Sequence, residues 1–396
     1  MRILQLCKKF PYPAKDGESL AILNLSKSLA EQGAEIHMLA MNTLRHQVKV
    51  DPSASALQHY QSICTVEVDN RLKPTDAFFN LFSTDSYHIS RFVSPVFESK
   101  LKELLSEYNF DIIQLETLYL APYIECIKTN SHAKISMRAH NIEFEIWQRI
   151  TRNTSNPLKK AYLSHLTKKL ERYEKSQFNK YDILLPISGR DKVRYKALGF
   201  KGKDEVVPIG VDSGEYIFDQ DSVEDFNRIS FIGSLDWAPN IEGIEWFLKN
   251  IWPVLSKEFP KLELFVAGRN MPKWLKESNY KGINIIGEVE DAKKFILSCP
   301  IMIVPLLSGS GMRVKILEGM ALGRVVVTTS IGLEGIDARH QHEVWIANKK
   351  EEFLEAFRQS RTELENIGKN ARTFIEVHFD RNNIGKKVLE KYQELI

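Results

Sequence analysis

Apolar residues recur along this chain in two rhythms, short unbroken runs and longer stretches spaced by three or four positions. Residues 2–6 form a short apolar run that predicts a buried strand, followed by a turn rich in punctuating residues (Pro11, Pro13, Asp16, Gly17). Leu20, Leu23, Leu25 and Leu29 then repeat at helical spacing and stop at Gly33, a helix with its terminator. Further runs at 35–40, 111–115, 134–139 and 183–187 predict strands, with helical patterns between them. Such alternation implies a parallel sheet covered on both faces.

The rhythm pauses at 206–212, Val-Val-Pro-Ile-Gly-Val-Asp, and starts afresh at 229–233. The second half predicts strands at 229–233, 262–267, 283–286, 301–305, 325–329 and 343–347, and helices at 241–257, 291–298 and 311–322, with more helices after them. The organisation read from this is a Rossmann-like first domain over 1–205, a Rossmann-like second domain over 206–380, and a terminal helix over 381–396 that can cross back to the first. In open parallel sheets ligands sit beyond the carboxyl ends of the strands, so two such domains imply a cleft between them.

Composition agrees with a folded protein of two domains, with 43% hydrophobic and 27% charged residues among 396. The four cysteines, Cys7, Cys64, Cys126 and Cys299, are far apart with no paired spacing, which points to a reducing compartment, the cytoplasm, and away from a disulfide scaffold or a zinc ribbon. The apolar start is too short for a signal peptide, and no run approaches the ~20 apolar residues that span a bilayer. Charge is uneven: 1–205 carry 30 Lys/Arg against 23 Asp/Glu, and 206–396 carry 24 against 28. Much of the first domain's excess lies on one helical stretch with Lys159, Lys160, Lys168, Lys169, Arg172 and Lys175. That stretch is either a solvated helix face or a surface for anionic lipid head groups at a peripheral membrane contact. Nucleic acid is not an expected partner.

The chemistry concentrates at 308–323, Ser-Gly-Ser-Gly-Met-Arg-Val-Lys-Ile-Leu-Glu-Gly-Met-Ala-Leu-Gly, just after the strand 301–305. Gly309 and Gly311 fall where a helix is expected to begin, so the backbone can approach a phosphate while free amides and the helix dipole favour its charge. Ser310 and Met312 lie between and after these glycines, and Arg313 and Lys315 supply cations. At ~100° per residue, Met312, Ile316, Met320 and Gly323 share a face suited to packing on the sheet, and Glu318 points instead toward the anion mouth. A carboxylate there repels phosphate but can accept hydrogen bonds from the vicinal diol of a ribose; the competing reading is an exposed Glu on an amphipathic helix. The segment is only a partial G-x-G-x-x-G because Val314 takes the third glycine's place, which argues against a dinucleotide cofactor. No Walker A, no HExxH and no cluster of metal-ligand spacing is present, so neither a cofactor nor a metal is expected.

These residues, with Pro11-x-Pro13 and Asp16-Gly17 before a helix, Arg138-Ala-His140-Asn141-x-Glu143, the hinge 207–212, Phe231-x-Gly233, Val266-Ala-Gly268 and Leu317-Glu318-x-Met320-Ala321-x-Gly323, resemble the GT-B glycosyltransferases. The likeness is greatest to the large retaining family, numbered four, that builds lipopolysaccharide, capsule and exopolysaccharide. It implies two facing Rossmann-like domains, a nucleoside-diphosphate sugar as donor co-substrate, and a glycan or lipid-linked saccharide as acceptor. By this resemblance Glu318 is the second glutamate of an E-x7-E motif and binds the ribose, but Ser310 stands where the first, sugar-contacting glutamate is expected. The family's diphosphate-holding Arg and Lys after the second domain's first strand are missing from 233–240, Gly-Ser-Leu-Asp-Trp-Ala-Pro-Asn. Arg313 and Lys315, together with Arg269, are expected to replace them, as in a subgroup with G-x-G-x-R-x-K-x-L-E and W-x-P-N (here ending at Asn240).

The resemblance further implies that Gly17 approaches the donor phosphates, that His140 contacts the transferred sugar, and that Gly287 and Val289 hold the uridine or guanosine base by backbone. Arg138 and Glu143 are weaker candidates that can simply pair with each other, and Ser188 is a candidate cleft residue. Transfer would proceed with retention, without metal, the leaving phosphate helping to deprotonate the acceptor and the amides and cations stabilising its charge. A nucleotide-sugar 2-epimerase on the same fold and a non-catalytic nucleotide-sugar-binding protein are the alternatives.

Overall fold

The computed structural model describes every residue except Lys15, 81–82, 217–224 and Ser310. Two compact units emerge, one comprising Met1–Gly210 with Ile384–Ile396 and the other Val211–Asn383.

The first unit is built on seven parallel strands, β1 (Arg2–Cys7), β2 (Glu35–Thr43), β3 (Tyr60–Val68), β4 (Ile112–Leu115), β5 (Lys134–Ala139), β6 (Ile183–Pro186) and β7 (Lys203–Asp204). Their order is β3-β2-β1-β4-β5-β6-β7. Alternation within each strand feeds two cores. Leu4, Leu6, Ile113, Leu115, Ile135 and Met137 face one side, and Ile3, Cys7, Ile112, Ile183 and Leu185 face the other. Helix Gly17–Glu31 covers the second side; Asp16 caps it by accepting from Ser19 N at 2.9 Å, and Gly33, at φ +89°, ends it.

Strand β3 is not evident in the apolar pattern because it is the sheet edge, with Gln61 and Glu67 exposed, so only part of its surface is apolar. The unit runs to Gly210 rather than 205 because Glu205 N and Val207 N donate to Leu184 O and Pro186 O and carry the chain along the sheet edge. Of the basic helical stretch, Pro157–Ser176, Lys169 is not on the solvated face: it is buried, and its ammonium donates to Asn80 O.

The second unit repeats the plan with six parallel strands, β8 (Arg228–Ile232), β9 (Glu263–Ala267), β10 (Ile283–Gly287), β11 (Ile301–Val304), β12 (Val325–Thr328) and β13 (Trp345–Ile346), ordered β10-β9-β8-β11-β12-β13. The helix expected over 241–257 is two, Ala238–Asn250 and Trp252–Glu258. Pro253 cannot donate to the first helix, and Trp252 is buried with its indole N–H on Lys281 O at 3.0 Å. The chain leaves the unit inside the last helix, Arg381–Gln393, whose Ile384, Val388 and Tyr392 join the first unit's core. Gly385 permits this, since a Cβ there would stand 2.1 Å from Ser28 Oγ.

Candidate functional site

In the second unit the glycine-rich helix begins at Val314, not at 311, and ends at Ala321. Gly309 and Gly311 sit at φ +115° and +81°, outside helical conformation, and the Arg313 guanidinium donates to Gly311 O, so the chain turns once more before the helix starts. Ile316, Leu317, Met320 and Ala321 form the packed face; Met312 is half-buried in the loop instead. Ser310 lies outside the described residues.

The two cations of this segment are drawn to the carboxyl end of β8. Lys315 Nζ donates to Ile232 O at 3.1 Å and to Asn240 Oδ1 at 2.8 Å, and lies 5.2 Å from the Phe231 ring centre. The ammonium thus occupies the place beside Gly233 where the sequence itself supplies no cation; a Cβ on Gly233 would meet it at 3.2 Å. Loss of hydration on burial, with Arg313 nearby, pulls the Lys315 pKa down to about 7. Arg313 is buried with its guanidinium 5.4 Å from the Trp237 ring centre, and Gly309 makes room for it, a Cβ there lying 2.8 Å from Nη2. Asn240 positions Lys315: its amide N–H donates to Ser234 O at 2.9 Å, which leaves the carbonyl for the ammonium.

Glu318 is neither exposed nor near these cations' hydrogen bonds. Its carboxylate accepts from the Tyr216 hydroxyl at 3.2 Å, and burial raises its pKa. Lys293 in turn lies 4.2 Å from the Tyr216 ring centre. Tyr216 and Lys293 are additions that the sequence pattern did not single out. Arg269 is exposed beyond β9, close enough to influence Asp236, and does not join Lys315. Gly287 closes β10 at φ +83° with open space on its Cβ side, and Val289 is half-buried two residues on.

In the first unit the polar residues gather at the carboxyl ends of β1, β4 and β5. Arg138 and Glu143 do not pair with each other. Arg138 is fully buried, lies 3.6 Å from Glu116 Oε2, and donates to Ala21 O at 2.9 Å. Glu143 accepts from the Tyr119 hydroxyl at 2.9 Å, and burial raises its pKa. His140 Nε2 is 3.0 Å from Glu116 Oε2. Burial alone would raise the Glu116 carboxyl, but Arg138 and the hydrogen bonds from His140 and Gln5 outweigh it and hold it below the ordinary range. Lys8 and Glu18 form an ion pair of 3.1 Å beside this cluster, with Lys8 over the Tyr119 ring. Gly17, the first residue of its helix, is half-buried. Ser188 is a helix cap, its hydroxyl oxygen accepting from Asp191 N at 3.1 Å at the start of helix Gly189–Ala197. Glu116, Lys8 and Glu18 are the members that sequence reasoning missed.

Among the described residues no group of three or more His, Cys, Asp and Glu could hold a metal, and no helix is long and apolar enough to cross a membrane.

Residues 227–361 match the family model described as glycosyl transferases group 1. Over its whole length the chain is similar to an uncharacterized 44.6 kDa protein in the cps region of Klebsiella pneumoniae, 24% identical over 406 residues, covering 98% of this chain and 99% of that one. Among solved structures it resembles HepE of Anabaena in complex with UDP (TM-score 0.67, 14% identity, all of both chains). It also resembles the sucrose-phosphate synthase of Thermosynechococcus elongatus (TM-score 0.70, 14% identity, 100% of this chain and 99% of that one).

Proposed function

We propose that this chain, of GT-B fold and with residues 227–361 matching the glycosyl transferases group 1, is a glycosyltransferase that moves a sugar from a nucleoside-diphosphate sugar to a glycan or lipid-linked saccharide. The observation that carries this reading is the pair Lys315 and Arg313, folded back onto the end of β8 beside Gly233 and Gly309. Lys315 rests on two uncharged oxygens, with Arg313 close by and glycines that leave backbone uncovered. Together they make a receptor for a diphosphate. Glu318, 3.2 Å from the Tyr216 hydroxyl, offers its second oxygen to a ribose diol.

In transfer, negative charge develops on the departing diphosphate, and preorganised cations stabilise it without reorganising at the moment of reaction. The protein's own charges meet this need, so the reading calls on no metal, and retention follows if the leaving phosphate accepts the acceptor's proton on the same face. Uridine is favoured as the base because HepE is described with UDP and with UDP-glucose. Surface-polysaccharide assembly is favoured because the Klebsiella relative is described by its cps region.

A thermal-shift screen of UDP and GDP sugars against the wild-type chain and Lys315→Ala tests the reading. One nucleotide class should raise Tm in the wild type and lose most of that shift in the variant. No shift with any nucleotide sugar, or a shift that Lys315→Ala leaves intact, overturns it.

A further inference from the structure

Beneath His140 lies a line of buried polar side chains on one face of the first unit's sheet. Glu116 Oε1 accepts from Gln5 Nε2 at 2.6 Å and from Gln114 Nε2, and Glu116 Oε2 faces His140 Nε2 at 3.0 Å. Each amide is fixed from behind. The Tyr60 hydroxyl lies 2.8 Å from Gln5 Oε1, and the Tyr392 hydroxyl lies 2.6 Å from Gln114 Oε1 and 2.9 Å from Ser136 Oγ. Tyr392 belongs to the last helix, 278 residues from its partner Gln114, and is fully buried.

The direction of every hydrogen bond in this line is forced. A carboxylate only accepts, so both glutamines must turn their N–H groups toward Glu116 and their carbonyls toward the two tyrosines. For the same reason His140 must place a proton on Nε2. In a neutral imidazole the other nitrogen then carries the lone pair. That atom, His140 Nδ1, is buried and makes no hydrogen bond among the described residues. A buried acceptor without a donor is a costly arrangement unless a ligand completes it.

We propose that Glu116 and Tyr392 are positioning residues that hold His140 as a hydrogen-bond acceptor, its Nδ1 accepting a hydrogen bond from a hydroxyl of the bound saccharide. The tautomer and its control follow from the network alone; only the identity of the hydroxyl rests on the transferase reading. The last helix is thereby part of the site's chemistry as well as of the core, because Tyr392 sets the orientation of Gln114, Gln114 helps fix Glu116, and Glu116 fixes the ring.

The substitution Glu116→Gln makes a sharp test. With Gln5 and Gln114 both donating to the Oε1 position, the new amide must put its carbonyl there and its NH₂ toward His140. His140 Nε2 would have to accept, the ring proton would move to Nδ1, and the site would present a donor where it had an acceptor.

Long-range ¹H–¹⁵N spectra of the full-length protein with ¹⁵N-labelled histidine, His140 assigned through His140→Gln, read this directly. The wild type should show the Nε2–H tautomer, Glu116→Gln the Nδ1–H tautomer, and Tyr392→Phe, which leaves the carboxylate in place, the Nε2–H tautomer with a broadened signal from a less firmly held ring. A wild-type Nδ1–H tautomer, or a tautomer unmoved in Glu116→Gln, overturns the proposal whether or not the protein transfers sugar. Where transfer is measured, both variants should lower kcat about 10- to 100-fold with little change in donor KM. A loss confined to KM, or to Tm, also overturns it.

Discussion

Both units bury cations at the carboxyl ends of parallel strands, but they treat them in opposite ways. In the first, Arg138 is matched by Glu116, which is itself matched by His140 and two glutamines, so the buried charge is compensated inside the protein. In the second, Lys315 rests on Ile232 O and Asn240 Oδ1, both uncharged, with Arg313 close by and no carboxylate pairing with Lys315 among the described residues. Burial of a paired charge builds structure; burial of an unneutralised one is tolerated where an anionic ligand completes it. On the proposed reading, the contrast separates a scaffold that orients one imidazole from a receptor held ready for a diphosphate.

The largest effect should come from breaking the compensated side. Glu116→Ala strands the fully buried Arg138 guanidinium and leaves two amides and an imidazole without their acceptor. Urea unfolding should show a loss of about 3–5 kcal/mol, and the pair Glu116→Leu with Arg138→Met should recover the part owed to the stranded guanidinium. A loss below about 1 kcal/mol in Glu116→Ala would mean that Glu116 does not compensate the buried guanidinium.

On the other side the same kind of change should spare stability and remove function. Lys315→Met keeps the stem and deletes a charge that burial already disfavours, so Tm should hold or rise. Turnover of the nucleotide sugar identified by the thermal-shift screen should nonetheless fall by about 10²- to 10³-fold. Loss of both together would place Lys315 with Arg138, as a structural cation.

The pH dependence sharpens the same point. The folded value of about 7 for Lys315 lies below the ~10.4 of a free lysine, so between them the unfolded chain holds a proton that the folded chain lacks. This group therefore makes stability rise with pH across that window and fall as pH drops toward 7. A bound diphosphate reverses the preference and draws the proton back. Affinity for UDP-glucose, measured calorimetrically, should weaken from pH 7 to pH 9, by up to about tenfold per unit, with proton uptake on binding. Lys315→Arg, which stays charged, should flatten the profile.

The contrast also explains what was legible in the sequence. Parallel sheets and the glycine-rich loop are local in chain order: runs such as 301–304 and 325–328 and the spacing Gly309, Gly311, Arg313, Lys315 and Glu318 can be read in one window. The helix starts later than its pattern suggests because Gly309 and Gly311 take positive φ and Arg313 captures Gly311 O two residues back, a local side-chain contact that helix propensity does not carry. The first unit's network joins Gln5 to Glu116 across 111 residues and Gln114 to Tyr392 across 278, and Tyr216 reaches Glu318 across 102. One signal was present. Gln114 and Glu116, and Ser136, Arg138 and His140, stand at alternate positions along and just past strands that a sheet covered on both faces should make continuously apolar.

The smallest effect compares two glycines with the same backbone demand. Gly33 ends a helix in the first unit at φ +89° with nothing within 4 Å of a would-be Cβ, whereas Gly309 sits at φ +115° with Arg313 Nη2 at 2.8 Å and Trp237 at 3.3 Å. Alanine at either position meets a left-handed backbone, a cost of about 1–2 kcal/mol. At Gly33 that is the whole effect, so Tm should fall slightly and nucleotide-sugar affinity should stay as it was. At Gly309 the methyl group also pushes the guanidinium from its place over Trp237, so affinity should fall severalfold at a similar cost in Tm. Equal affinities in the two variants would show that Arg313 is not held for the ligand, and the receptor would reduce to Lys315 and the loop's backbone.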